Sequence, residues 1–281
     1  MNTRLAPVRR LAVGLAALTL FAGWGGAARA DYAYGFATQT ISNLTITPGI
    51  TPNGAVTTST SDGATLNGSG IANSNALNAA QAYIGGAPPA PGDFYFRYAP
   101  GATPVSPAGN FTRGDAVIAS LVPPNSSSVV AESFLNTTTP TTETGNSGLT
   151  ASLLFTPTVT GALAINYNFA NDAYVFFTGG GNASASYNFN ITIKDLAGAI
   201  LFSSSTASTN LSLAAPPNGG EIIRTGNETV TTGSLTAGTS YSLIFSSTAQ
   251  SSATVVPEPA SMALLGIGGL VTLVVFRTRR A

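Results

Sequence analysis

The stretch ASASYNFNITIKD, residues 183–195, constrains the fold more than any other part of the chain. Ala185, Tyr187, Phe189, Ile191 and Ile193 fall on one side of an extended backbone. Ser184, Ser186, Asn188, Asn190, Thr192 and Lys194 fall on the other. A period of two, with aromatic and β-branched residues on the apolar side, fits a half-buried antiparallel strand. Residues 162–170, ALAINYNFA, repeat it, with Leu163, Ile165, Tyr167 and Phe169 opposite Ala164, Asn166 and Asn168. Tyr241, Leu243 and Phe245 share one side of a third such segment. Asp195, Leu196, Ala197 and Gly198 read as a tight turn into AILFSSS, which predicts a hairpin.

The remaining pattern follows the same class. Leu235, Gly238 and Tyr241 have the spacing of a tyrosine corner, a feature of Greek-key sandwiches. Residues 31–47 begin like one or two strands, and residues 115–124 and 127–135 also read as strands. The Thr-rich stretch 137–148 reads as a loop. Residues 72–86 predict a single short helix, capped by Asn73 or Ser74 and stopped at Gly85. Pro88, Pro89 and Pro91 make a rigid loop. Short strands separated by Ser, Thr, Gly and Asn turns predict a mainly β fold. The expected body is one antiparallel β-sandwich over residues 31–254, jelly-roll or immunoglobulin-like.

Composition removes whole classes of chemistry. The chain has no Cys and no His. A disulfide framework, a thiolate metal site and a Cys nucleophile are excluded, as are a Ser-His-Asp triad and any histidine base. Charged residues are only 8% of the chain against ~25% in an ordinary soluble protein, so Ser, Thr and Asn carry the polar surface. Residues 31–256 hold Arg97, Arg113, Lys194 and Arg224 against ten acids, a net charge of −6. That balance argues against nucleic acid as a partner.

The two ends differ from this body. A short basic segment, MNTRLAPVRR, precedes the apolar residues 11–23, and small residues stand at Ala28 and Ala30. This is the layout of a signal peptide over residues 1–30, with cleavage before Asp31. At the other end, residues 260–276 run for 17 residues without a charge. As a helix that run reaches about 25 Å, enough for one transmembrane helix if its flanks help. Arg277, Arg279 and Arg280 can reach the headgroups and keep that end cytoplasmic. Pro257 and Pro259 stop the helix and hold Glu258 extended outside the lipid.

The order of these three parts, Pro257-Glu258-Pro259, then the apolar span, then the arginine cluster, resembles the PEP-CTERM sorting signal of Gram-negative bacteria. The resemblance covers residues 255–281 and identifies no family for the body. It implies an exosortase-type membrane protease as partner, cutting near Glu258. It also implies transient anchoring in the inner membrane, with the body in the periplasm and then at the cell surface or in the extracellular matrix. A structural or adhesive role in an exopolysaccharide or biofilm matrix is the corresponding expectation. The alternatives are a carbohydrate-binding module and, behind it, a glycan-active enzyme.

The remaining candidates each have a plainer reading. Asn-x-Ser/Thr triplets occur at Asn43, Asn67, Asn110, Asn125, Asn136, Asn182, Asn190, Asn210 and Asn227, sites for a glycan or simply a hydrogen-bonding surface. No cofactor is expected. Calcium is the one plausible metal, with Asp62, Asp93, Asp115, Asn171 and Asp172 as oxygen donors, but they do not cluster in sequence. Glu132, Glu143, Glu221 and Glu228 could supply a carboxylate pair, yet nothing in the sequence pairs them, and no enzyme is expected. Gly179, Gly180 and Gly181 lack the lysine of a phosphate loop. Arg113-Gly114-Asp115 spells an integrin tripeptide and reads instead as a turn with a local ion pair. Phe94, Tyr95, Phe96 and Tyr98 either fill a core or stack on sugar rings.

Overall fold

A computed structural model describes residues 31–74, 82–85, 110–120, 126–137, 139–214 and 219–256. Every regular element among them is a strand, and every strand pair is antiparallel. In chain order these are β1 (Asp31–Thr47), β2 (Ile50–Pro52), β3 (Thr57–Leu66), β4 (Ser69–Ser74), β5 (Ala82–Gly85), β6 (Phe111–Ser120) and β7 (Ser126–Thr137). Then come β8 (Thr141–Pro157), β9 (Gly161–Phe177), β10 (Asn182–Lys194), β11 (Ile200–Ser204), β12 (Leu211–Ala214), β13 (Gly220–Leu235) and β14 (Tyr241–Val255). One sheet runs β13-β9-β1-β7-β6-β5. The other runs β11-β10-β14-β8-β3-β4, with β12 beside β10 and β2 beside β8.

The alternation seen in sequence decides which side of each strand is buried. Leu163, Ile165, Tyr167 and Phe169 of β9 enter one buried cluster with Phe189, Ile191 and Ile193 of β10 and Tyr241, Leu243 and Phe245 of β14. Since β9 belongs to the first sheet and β10 and β14 to the second, this cluster joins the two. Each large side chain removed from water there contributes about 1.5–3 kcal/mol. Tyr167 meets Phe189 edge-on at 5.0 Å between ring centroids. The Asp195 turn closes the β10–β11 hairpin. The Asp195 amide donates to the Ala199 carbonyl at 3.0 Å, and the Asp195 carboxylate accepts the Ala199 amide at 2.8 Å. The Tyr241 hydroxyl accepts the Thr236 amide at 3.1 Å, the bond a tyrosine corner requires.

Away from this end the interior changes character. A second cluster is mostly alanine, with Ala37, Ala131, Ala151, Ala173, Ala185 and Ala249 all buried. Beyond it the sheets touch through backbone. A Cβ on Gly35 would lie 2.6 Å from the Ser184 carbonyl oxygen, and one on Gly114 or Gly145 would overlap the Asn146 or Arg113 carbonyl. A hydroxyl pair bridges the gap, Ser133 meeting Ser251 across the sheets at 2.9 Å, while Thr112 of the neighbouring strand in the first sheet meets Ser133 at 3.1 Å. The interior is therefore thick and aromatic at one end and thin and polar at the other.

Three sequence expectations are corrected. Asn73 and Ser74 belong to β4, and Gly85 ends β5, so neither the helix caps nor the stop stand; residues 75–81 lie outside the described ones. The reason is the Asn67-Gly68 pair, at φ 47° and 79°, which turns β3 back into β4 as a two-residue hairpin. The expected Thr-rich loop is instead the start of β8, where Thr141, Glu143, Gly145 and Ser147 point inward because the thin end admits only small or polar side chains. Arg113, Gly114 and Asp115 form no turn. They sit inside β6, and Arg113 pairs with Glu132 of β7 rather than with Asp115. The expected transmembrane helix falls on residues outside the described ones. Among the described residues no helix is long and apolar enough to cross a membrane.

Candidate functional site

Both ends of the β body emerge at the thin end. β1 begins there, with Asp31 opposite Thr137 of β7, and β14 finishes there, with Val255 opposite Thr141 of β8. Ala33, Leu135, Ala253 and Val255 form one small buried cluster, with Phe177 packed on it. The β9–β10 turn seals the same corner. The Thr178 hydroxyl takes the Tyr32 amide at 3.0 Å, and the Thr178 amide donates to the Tyr32 carbonyl at 2.8 Å. Val256 then leaves into solvent at 53% exposure. Ala28, Ala30, Pro257, Glu258, Pro259, Arg277, Arg279 and Arg280 lie outside the described residues.

The strand that carries the tail is well chosen for a tether. β14 is an inner strand, paired with β10 from Asn182 to Lys194 and with β8 from Thr141 to Phe155. A pull on the tail therefore loads two long ladders along their length, so many hydrogen bonds resist together.

The thin end also holds the buried titratable groups. On the side of the first sheet that faces away from the second, Arg113 Nε donates to Glu132 Oε2 at 2.8 Å, and the Tyr34 hydroxyl donates to Glu132 Oε1 at 2.5 Å. All three are essentially inaccessible, among Phe36, Phe111, Phe134 and Tyr174. Burial, then the Glu132 charge, raises the Tyr34 phenol well above its ordinary value, so it stays a donor. Between the sheets, the carboxylate oxygens of Glu143 and Asp62 have donors nearby but complete no well-aligned hydrogen bond. Burial pushes Glu143 up to about 8, although the nearby Phe134 amide offsets part of the effect. Burial, then the Asp115 charge, pushes Asp62 up to about 7, with the Ser147 hydroxyl and Ala116 amide opposing it. Both carboxyls are therefore neutral in the folded protein on the acid side of these values.

The other sequence candidates separate. Of the calcium donors, Asp62 and Asp115 are brought near each other, Asn171 and Asp172 lie on β9, and Asp93 is outside the described residues. No three acidic side chains converge among the described residues. Glu132 and Glu143 are wholly buried on different sheets, while Glu221 and Glu228 lie on β13. Gly179, Gly180 and Gly181 form the β9–β10 turn. Asn43, Asn67, Asn136, Asn182 and Asn227 are exposed. Asn110, Asn190 and Asn210 are half-buried, with their amide oxygens holding Asn136, Thr192 and Phe189, respectively; Asn125 is outside the described residues. So are Phe94, Tyr95, Phe96 and Tyr98.

One surface escapes a reading strand by strand. The outer side of the second sheet aligns rows across β3, β8, β14 and β10, such as Ser59–Thr150–Ser246–Asn190 and Thr65–Thr144–Ser252–Ser184. The two rows between them, Ser61–Gly148–Thr248–Asn188 and Gly63–Asn146–Gln250–Ser186, continue the pattern. These rows carry hydroxyls and amides with no charge and no aromatic ring. Some already bond one another, as Ser184 and Ser252 do at 2.7 Å. The signal was present in sequence as the polar half of each alternation, but only the register places the halves side by side.

Comparison with known proteins bears on the tail. No curated protein matches the chain. Among solved structures it is similar to that of infectious bursal disease virus Gx strain, at 12% identity over 85% of this chain and 69% of that one. The TM-score is 0.13, at which no argument about fold follows. The family model of the PEP-CTERM protein-sorting motif matches residues 255–280, which begin at the last residue of β14. The motif marks an exported protein sorted through its tail by an exosortase; the match covers the tail alone, and no family is shown for the β body.

Proposed function

We propose that the delivered body is a non-catalytic structural or adhesive component of an exopolysaccharide or biofilm matrix, built as a β-sandwich. The observation that carries this reading is the band of hydroxyl and amide rows across β3, β8, β14 and β10, charge-free from the Asn190 row to the Ser184 row, with Lys194 two rows beyond it. Ordinary soluble surfaces carry about 25–35% charged residues. A flat face of neutral donors and acceptors matches the hydroxyls of neutral polysaccharide, which neither attract nor repel charge. The burial of Glu132 and Glu143, and the commitment of Glu132 to Arg113 and Tyr34, favours structure over hydrolysis for those carboxyls. Anchoring is transient in this account, and the cell surface or matrix is the destination.

The test compares matrix retention of the wild type with a Thr150→Lys/Gln250→Lys variant in the producing cells. Retention that falls in the charged variant, with total export unchanged, supports the reading. Equal retention of both, or wild-type protein found only in the cell-free medium, overturns it. The carbohydrate-binding alternative predicts selective capture of one sugar type, lost when Phe94, Tyr95, Phe96 and Tyr98 are replaced by alanine.

A further inference from the structure

Each sheet has two margins, and these are unequal. β4, β5, β11 and β12 are six, four, five and four residues long, short edges of the kind that discourage pairing with other chains. β13 is different: sixteen residues at the margin of the first sheet, with β9 as its one strand partner among the described residues. It contains no proline and no lysine, the usual guards of an edge. Its centre is open to solvent, with Thr225, Gly226, Asn227 and Thr229 exposed and Ile223 exposed at 56%.

We propose that β13 is a docking edge for β13 of a second copy of this chain, the two strands pairing antiparallel about Gly226. The register follows from charge. Side chains alternate between faces, so directly opposed residues on a continued sheet must share a face, even with even and odd with odd. Arg224 and Glu228 are the charged residues on the even-numbered side. Centring the pair on Arg224 sets arginine opposite arginine, and centring it on Glu228 sets glutamate opposite glutamate. Centring it on Gly226 sets Arg224 of one copy opposite Glu228 of the other, and symmetry makes that contact twice. Opposed residues bring their Cβ atoms within about 5 Å, close enough for an ion pair. In the same register Ile222 meets Val230, and Ile223 meets Thr229.

The monomer holds both charged side chains in place for this. Arg224 donates to the Ala207 carbonyl, and the Glu228 carboxylate accepts the Ser208 hydroxyl at 2.5 Å. Both anchors belong to the β11–β12 connection beside the edge, so neither side chain is sequestered by the other within one chain. The Gly226 backbone rests on the Phe169 ring, 3.2 Å from where a Cβ would stand. The pairing is thus a strand addition in which the main chain supplies affinity and one charge pair, used twice, supplies register. It is independent of any sugar partner.

Sedimentation of the full-length protein in neutral detergent, between about 1 and 100 µM, tests it. The expected result is a dimer that Arg224→Glu weakens at least ~10-fold, because two ion pairs become two repulsions. Arg224→Glu/Glu228→Arg restores it. A second measurement uses the absence of native cysteine: a mixture of Thr225→Cys and Asn227→Cys proteins forms the mixed disulfide in preference to either symmetric one. A wild type that stays monomeric, a dimer indifferent to Arg224→Glu, failure of the double swap to restore it, or preferred symmetric cross-links would each overturn the proposal.

Discussion

Glu143 gives the sharpest physical prediction. It is wholly buried between the sheets, its oxygens complete no well-aligned hydrogen bond, and burial raises its carboxyl from 4.5 to about 8. The sign follows from proton binding. The folded protein keeps this proton at pH values where the unfolded chain has lost it, so unfolding releases a proton between the two values. Stability is then highest near pH 4, falls as pH rises, and levels off above about 8. At about 1.4 kcal/mol per pH unit over that window, the loss is on the order of 5 kcal/mol. Asp62, raised to about 7 from 3.8, adds a loss of the same sign that ends earlier. Glu143→Gln removes the titration while keeping the shape. Urea unfolding followed by circular dichroism from pH 4.5 to 8.5 should show the variant losing several kcal/mol less than wild type across that range. A fixed cost of burying the amide would offset the whole curve without changing its slope. Parallel curves would refute the reasoning, because they would mean that Glu143 ionises as freely in the folded protein as in the unfolded chain.

Two further perturbations follow from the thin end. Gly114→Ala places a methyl against the Asn146 carbonyl and should cost about 3 kcal/mol or more, whereas Gly233→Ala, with nothing within 4 Å, should stay within ~0.5 kcal/mol in the same denaturation assay. Arg113→Met removes the cation beside the buried Glu132 carboxylate and should cost about 3–5 kcal/mol; Tyr34→Phe, which removes one donor and leaves the ion pair, should cost less, about 1.5–3 kcal/mol. Equal losses for those last two variants would contradict the assignment of Arg113 as the principal partner.

What could be read from sequence was the part governed by local chemistry. The alternation in β9, β10 and β14 named its buried side chains correctly, from Leu163 to Phe245, because a single strand carries that pattern entire. The Asp195 turn and the Tyr241 bond were legible for the same reason, with donors and acceptors only a few residues apart. Distance in sequence hid the rest. Gly145 looks like a loop residue until the Arg113 carbonyl stands against it from the other sheet, and Glu143 looks exposed until burial is known. The helix expected near Asn73 failed because the Asn67-Gly68 hairpin signal, only a few residues upstream, carries more weight than a nominal cap. Tyr32, Tyr34 and Phe36 alternate with Ala33, Gly35 and Ala37, yet both sides are largely buried, which no single-strand pattern announces. For the tail the reverse held. Its three parts lie within residues 255–280, so order and spacing alone identified it.

The central claim is that the tail sorts the β body, and intact mass with membrane fractionation of the native protein tests it most directly. Wild type is compared with Pro257→Ala/Glu258→Ala/Pro259→Ala in the producing cells. The account predicts wild type shortened near Glu258 and released from the inner membrane, and the variant retained there with its full tail to Ala281. Wild type and variant both found in the inner membrane at uncut mass would contradict it and leave the span a permanent anchor.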